Sequence, residues 1–374
     1  MCGRERGVEA AAVGWFAIAF LGLVPACGDL GPPPPAPLES ALSCGTGWQT
    51  LPSAVGESSP LAYHDGVLYY WSYSDQALQS LRVSDGAIAT LAEGVVQDLW
   101  VEGDQIMFTG GDQATLIYSV SATGGTPRLV VDATTGRAYA GNDSLHAADA
   151  AAFYWTEDPV DFSRPTTVWR ASRSDGIPVQ IGAVTPIDPV DTPPLPLAFR
   201  AMGLTGDAVL LGSDQGVSDA VPFDGGPARL LATTAELSRP LNGVLAGIDL
   251  AGVYWTVRRA GVAPEDGESS LILAPADGGP MQTFWEGTPP HAAVVGIWPT
   301  GDGGWVLAIR QQFDDQMYHV VISMLEADGT SQRLACSPAG PDLFVQSRPV
   351  VAADAVYIVA DGNSSQTEIV RIAR

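Results

Sequence analysis

Leu61-Ala-Tyr-His64, Val67-Leu-Tyr-Tyr-Trp71, Leu78-Gln-Ser-Leu-Arg-Val83 and Ile88-Ala-Thr-Leu-Ala92 follow one another in a single stretch, with Asp85-Gly86 between the last two. Short apolar runs rich in β-branched and aromatic residues, bounded by turn residues, read as strands. An Asp-Gly pair supplies the backbone freedom that a tight reversal needs. The stretch is therefore a four-stranded antiparallel meander, with strands a, b, c and d in chain order.

The pattern returns along the chain. Strand b restarts at Val67, Ile106, Phe153, Val209, Val253, Val306 and Val356, with gaps of 39, 47, 56, 44, 53 and 50 positions. Those gaps match the period of four-stranded propeller blades. Turns between c and d recur at Gly124-Gly125, Asp175-Gly176, Gly225-Gly226, Gly278-Gly279 and Asp328-Gly329. A chain of 374 residues exceeds the about 250–300 at which one core stops growing. Four strands cannot bury both faces alone, but sheets stacked around an axis can. The expectation is an all-β, seven-bladed β-propeller over residues 45–374. The seventh repeat stops after strand c, Glu368 to Ala373, and the unassigned strand-like segment is Trp48-Gln-Thr-Leu51. That segment is expected to complete the last blade and so remove an exposed edge.

Tyr154-Trp155-Thr156 and Tyr254-Trp255-Thr256, with Tyr70-Trp71-Ser72 as a further copy, resemble the YWTD repeats of lipoprotein-receptor propellers. Val168-Trp-Arg-Ala171 and Ser174-Asp-Gly176 resemble that family's next strand and turn. The resemblance implies propeller architecture. Glu157 and Val257 stand where the family has Asp, and the family has six blades rather than seven.

Arg4 and Arg6 precede an uncharged apolar run, Ala10 to Ala26, so residues 1–26 read as a signal peptide. Val24-Pro25-Ala26-Cys27 resembles a bacterial lipobox, with Pro25 in place of the usual small residue. The resemblance implies that Cys27 becomes the acylated N-terminus. Gly28 follows it rather than an acidic residue, which implies the outer membrane. The alternative is an uncleaved anchor helix. Residues 27–44 form a linker containing Pro32-Pro33-Pro34-Pro35-Ala36-Pro37, a semi-rigid polyproline spacer of up to ~50 Å. Cys2 leaves with the signal, so Cys44 and Cys336 remain as a pair in an oxidising compartment, or as two buried thiols. Bridged across 292 positions, they would contribute roughly 4–5 kcal/mol.

The net charge is −24, from 42 acidic and 18 basic residues, and every basic residue is Arg. An acidic surface without an Arg cluster repels phosphate backbones and makes nucleic acid a poor partner. The absence of Lys excludes Schiff-base and P-loop chemistry. His64, His146, His291 and His319 show no metal-ligand spacing, and no Gly-x-Ser-x-Gly elbow occurs. Asp314-Asp315 and Glu265-Asp266 are adjacent loop carboxylates without a calcium-binding run. No metal or cofactor is expected.

Two regions are candidates for binding. Long connections, Glu157 to Thr166, Val184 to Leu197 and Val257 to Ser270, gather on one rim, as binding loops do, or as drifting loops do. Strands a line the channel and are expected to bring His64, Trp100, His146, Arg200, Trp298 and Arg348 to its mouth, around a ligand or around water. The expected function is a monomeric, lipid-anchored, non-catalytic binding or scaffold module for an envelope protein or glycan. The alternatives are a glycan lyase or hydrolase using channel-mouth carboxylates, and an architectural protein without a discrete ligand.

Overall fold

The computed structural model describes residues 47–52, 55, 60–110, 116–132, 146–157, 165–184, 199–213, 217–232, 244–258, 269–286, 292–300, 303–315, 317–326, 330–338, 348–361 and 367–374, and among these strand ladders account for all the regular structure. The chain divides into two units, Met1–Pro37 and Leu38–Arg374, and the described residues all belong to the second. The signal peptide and the whole linker, with Cys27 and Cys44, lie outside them. Among the described residues no helix is long and apolar enough to cross a membrane.

The strands form seven four-stranded antiparallel sheets, so the fold is a seven-bladed, all-β propeller. Blades 1 to 6 each follow chain order from strand a to strand d. The a strands are Leu61–His64, Val96–Glu102, His146–Ala148, Phe199–Leu204, Val244–Ile248, Ala292–Pro299 and, in blade 7, Val350–Val351. Blade 7 continues through Ala355–Asp361 and Thr367–Ala373, and its fourth strand is Trp48–Leu51 from the other end of the chain. The pairing is antiparallel, with Trp48 opposite Ile372 and Leu51 opposite Ile369.

Strands b and c are buried on both faces, which is why they read as almost continuous apolar runs. Ala208–Ser213 is buried throughout, and so is most of Trp305–Gln312. Strands d face solvent on one side, as in Ile88–Glu93, where only Leu91 and Ala92 are buried.

Seven apolar clusters fill the space between sheets, one for each pair of neighbouring blades. Tyr69 and Leu78 meet Leu99 and Ile106 between blades 1 and 2. Val306 and Ile322 meet Ile358 and Ile372 between blades 6 and 7. The ring closes where Leu51, Leu61 and Tyr70 pack on Tyr357 and Ile369, between blades 7 and 1. Each fully buried large side chain contributes about 1.5–3 kcal/mol, so stability resides in these interfaces rather than in single sheets.

Neighbouring aromatic residues bridge the interfaces. Tyr154 packs toward blade 4 and Trp155 toward blade 2. Tyr254 packs toward blade 6 and Trp255 toward blade 4. In blade 1 the residues playing these parts are Tyr69 and Tyr70. The sequence alignment of Tyr70-Trp71-Ser72 with the other two copies is therefore one residue out of register, and a one-residue slip reverses every face. Trp71 instead packs on the blade 1–2 cluster and donates its indole N–H to the Gly94 carbonyl at 3.2 Å.

An Asp in the turn between strands a and b holds the Tyr of strand b. Asp149 accepts the Ala151 and Ala152 N–H groups at 2.7 and 2.8 Å on one oxygen and the Tyr154 hydroxyl at 3.0 Å on the other. Asp249 accepts from Ala251 and Gly252 in the same way, and its carboxylate also takes the Tyr254 hydroxyl. Burial, with the neighbouring Asp149, pushes the Tyr154 phenol up to about 12. Asp149→Ala is expected to cost about 2–3 kcal/mol in urea unfolding and Tyr154→Phe about 1 kcal/mol, because the first strands three donors and the second one acceptor. Equal costs would show that the hydroxyl alone carries the turn.

A register shift interrupts every c–d pair of blades 1 to 6, as at Leu78/Gln79 and Ile117/Tyr118. Such bulges add right-handed twist and turn the outer strand away from its neighbours. The pair formed by Trp48–Leu51 and Thr367–Ala373 runs without one. Gly86 and Gly176 hold φ of 70° and 65° in their turns, as their Asp-Gly pairs require. Asp328-Gly329 lies outside the described residues.

Candidate functional site

The a strands of neighbouring blades touch around the axis. Those of blades 4 and 5 approach so closely that a Cβ on Gly203 would collide with the Ile248 side chain. Between the a strands lies a cavity of about 740 Å³, to which all seven blades contribute, from Pro60 and Leu61 in blade 1 to Arg348 at blade 7. Its size is that of a small-ligand or peptide site.

Much of the wall is apolar, including Leu61, Met202, Ile248, Leu250 and Pro299. Asp98, Asp249, His146 and Arg348 supply the charged and titratable groups. Asp98 sits on strand a of blade 2, where its N–H donates to the Thr109 hydroxyl at 3.0 Å and its carboxylate accepts the Leu99 N–H at 2.8 Å. Burial pushes its carboxyl up to about 6, against the Leu99 N–H and the Arg348 guanidinium, which pull it down. Arg348, just before strand a of blade 7, is lowered by the same desolvation and held up by Asp98. It reaches the Pro299 carbonyl at 3.4 Å. Two opposite charges thus share a cavity that withholds water from both, and this makes each receptive to a ligand group that can replace the lost solvation.

Of the six residues expected at the channel, Trp100, His146 and Arg348 line the cavity. Trp100 is fixed by its indole N–H on Glu102 at 2.7 Å, and Glu102 is gripped by Arg173 through two contacts of 2.6 Å. His64, Arg200 and Trp298 are not among the lining residues. His64 ends its strand beside Asp65 at 3.5 Å. Arg200 stands at the irregularity between Phe199 and Ala201 and is exposed. Trp298 packs on the blade 6–7 cluster. Asp98 and Asp249 were missed, because a single Asp inside a short strand or turn carries no motif. The long connections 158–164, 185–198 and 259–268 lie outside the described residues, as do His291, Glu265 and Asp266. Among the described residues no group of His, Cys, Asp and Glu has the arrangement of a metal site.

No family model and no curated protein matches the sequence. Solved structures do match in fold. Ycf48 from Cyanidioschyzon merolae aligns with a TM-score of 0.56 at 7% identity, over 87% of this chain and 99% of that one. Ycf48 bound to D1 peptide gives 0.53 at 8% identity, over 90% and 99%. The β-propeller domain of Cps50 (Swd1) from Myceliophteria thermophila gives 0.52 at 11% identity, over 86% and 98%. At such identities the likeness shows the β-propeller fold and nothing further.

Proposed function

We propose that this propeller is a non-catalytic binding module whose axial channel takes an extended segment of a partner protein. The observation that carries the reading is the cavity of about 740 Å³ in which apolar walls surround the desolvated Asp98 and Arg348. An extended peptide offers side chains to such walls, and it brings both donors and acceptors for the two charges. Ycf48 bound to D1 peptide has the same fold and is compatible with this use of it.

The test is selection from a random peptide library followed by titration calorimetry. Selected peptides are expected to bind Arg348→Ala at least about tenfold more weakly than the parent, a loss of ~1.4 kcal/mol. Affinity carried by a basic group on Asp98 falls as pH drops through about 6, where that carboxyl gains its proton. Peptides that bind both proteins equally would place the site elsewhere.

The same proposal includes export and anchoring to the outer membrane through a lipid on Cys27, supported by Val24-Pro25-Ala26-Cys27 and the spacer behind it. Cys27→Ser is expected to release the protein from membranes, and retention after the change would rule out the lipid anchor. It further includes a clasp between Cys44 and Cys336. Its support is that Cys336 is buried, and that Gly47, three residues after Cys44, lies against Ala335 and the Leu334 carbonyl. Non-reducing peptide mapping is the check, and two alkylated thiols would reject it.

One observation favours a second reading. A carboxyl protonated near pH 6 inside a cleft is suited to general-acid work on a glycan, and Asp249 supplies a second carboxyl to the same cavity. Release of reducing ends or unsaturated products from a polysaccharide panel, lost in Asp98→Asn, would favour the enzyme.

A further inference from the structure

A second cavity, of about 620 Å³, opens where the ring closes, between blade 7 and blade 1. It is built from strands on both sides of the seam. On blade 7, Gln49, Arg371 and Tyr357 stand directly opposite one another on three adjacent strands, so their side chains share one face. On blade 1, Tyr63 stacks on Tyr357 at 5.3 Å and 19°, and Arg82 stands opposite Val67. The turns at Asp65 and Asp354 complete the rim.

The charges in this cleft balance. Asp65 and Asp354 face Arg82 and Arg371, in a chain whose net charge is −24. Arg371 donates to Asp354 at 2.8 Å and also bonds the Tyr357 side chain, while Arg82, paired with Asp85 at 3.0 Å, is 60% exposed and keeps further N–H groups toward solvent. A cation gains nothing here that the rest of the acidic surface does not offer, and an anion meets that surface as a barrier. A neutral ligand rich in hydroxyl groups suits the lining best, because carboxylates accept, guanidinium groups donate and the Gln49 amide does both. The half-buried Tyr63 adds an aromatic wall for the apolar edge of a sugar ring. All but the rim residues stand on paired strands, so little ordering is needed on binding.

We propose that this seam cleft is a binding site for a neutral oligosaccharide, separate from the axial channel. Because such a ligand touches the closing strand, blade 1 and blade 7 together, it ties the closure to occupancy and raises the unfolding temperature.

The experiment uses the full chain purified in detergent, with cellotetraose, maltotetraose, xylotetraose and chitotetraose each at millimolar concentration. At least one is expected to raise the unfolding temperature and to bind in calorimetry. Arg82→Ala and Gln49→Ala change exposed side chains and leave the core intact, and each is expected to weaken that binding about tenfold or more. Asp98→Asn and Arg348→Ala, both in the axial channel, are expected to leave it unchanged. No binding by any of the four overturns the proposal. So does binding that survives both seam variants, and binding lost only in the channel variants assigns the sugar to the axial site.

Discussion

Deleting Trp48–Leu51 is expected to lower the stability of the propeller by at least about 5 kcal/mol and to leave a protein that self-associates. Leu51 is 7% exposed, within the cluster that joins blade 7 to blade 1. Losing a buried Leu of this kind costs about 2–5 kcal/mol, and each lost ladder hydrogen bond about 1 kcal/mol more. Domains are stable by only about 5–15 kcal/mol, so the deletion consumes much of the margin. It also bares the edge of Thr367–Ala373, where Ile369, Val370 and Ile372 would stand beside unpaired backbone groups. Exposed apolar edges template pairing with another chain. Gln49→Pro, at an exposed position opposite Arg371, removes one ladder donor and is expected to act in the same direction with a smaller effect. Guanidinium unfolding with light scattering is the check. A deleted protein that stays monomeric with an unchanged midpoint would show that the ring does not depend on its first strand.

Asp219→Asn is expected to stabilise the protein above pH 7 by a few kcal/mol and to change it little near pH 4. Asp219 lies on strand c of blade 4, Ser218–Pro222, opposite Leu211 and Leu230, and is 6% exposed. The neighbouring Ser218 hydroxyl is buried without a hydrogen-bond partner among the described residues. Burial alone pushes the Asp219 carboxyl up to about 7. The folded protein therefore keeps this proton to about pH 7, whereas the unfolded chain releases it near the ordinary carboxylate value. Between those limits the unfolded state binds fewer protons, so stability falls as pH rises. A displacement of about three pH units corresponds to ~4 kcal/mol, of which Asn recovers part, since its amide is also costly to bury. Urea unfolding of both proteins at pH 4, 6 and 8 measures the difference. A stability difference that does not change with pH would show that the Asp219 carboxyl is solvated.

The repeat was legible because Val67, Ile106, Phe153 and their successors mark strands buried on both faces, whose apolar runs stand out against Gly turns. Those strands begin one residue earlier in six of seven blades, at Gln105, Ala152, Ala208, Gly252, Trp305 and Ala355. Small or polar residues start five of them, where no apolar signal marks the position, and Trp305 is the exception. Counting strands also placed Trp48–Leu51, since a sheet one strand short has to borrow. The bulges in the c–d pairs left no trace in the sequence, because they arise from twist between strands rather than from a residue type. The register of Tyr69-Tyr70-Trp71 was misread for a related reason. Three aromatic residues in a row satisfy either face, and only packing on blades 2 and 7 chooses between them. In the channel, Trp100, His146 and Arg348 could be placed from the a strands. Asp98 could not, since its importance comes from lost water and from Arg348, which lies 250 positions away in the chain.

The most direct test of the channel as a binding site is photo-crosslinking in intact cells, with a benzophenone amino acid at Met202, which lines the cavity, and at Tyr73, which is 65% exposed in the turn between strands b and c of blade 1. The predicted result is a discrete protein adduct from position 202, absent from position 73 and lost when Arg348→Ala is added. An adduct from position 73 alone, or one from position 202 that survives Arg348→Ala, would contradict an axial protein-binding site.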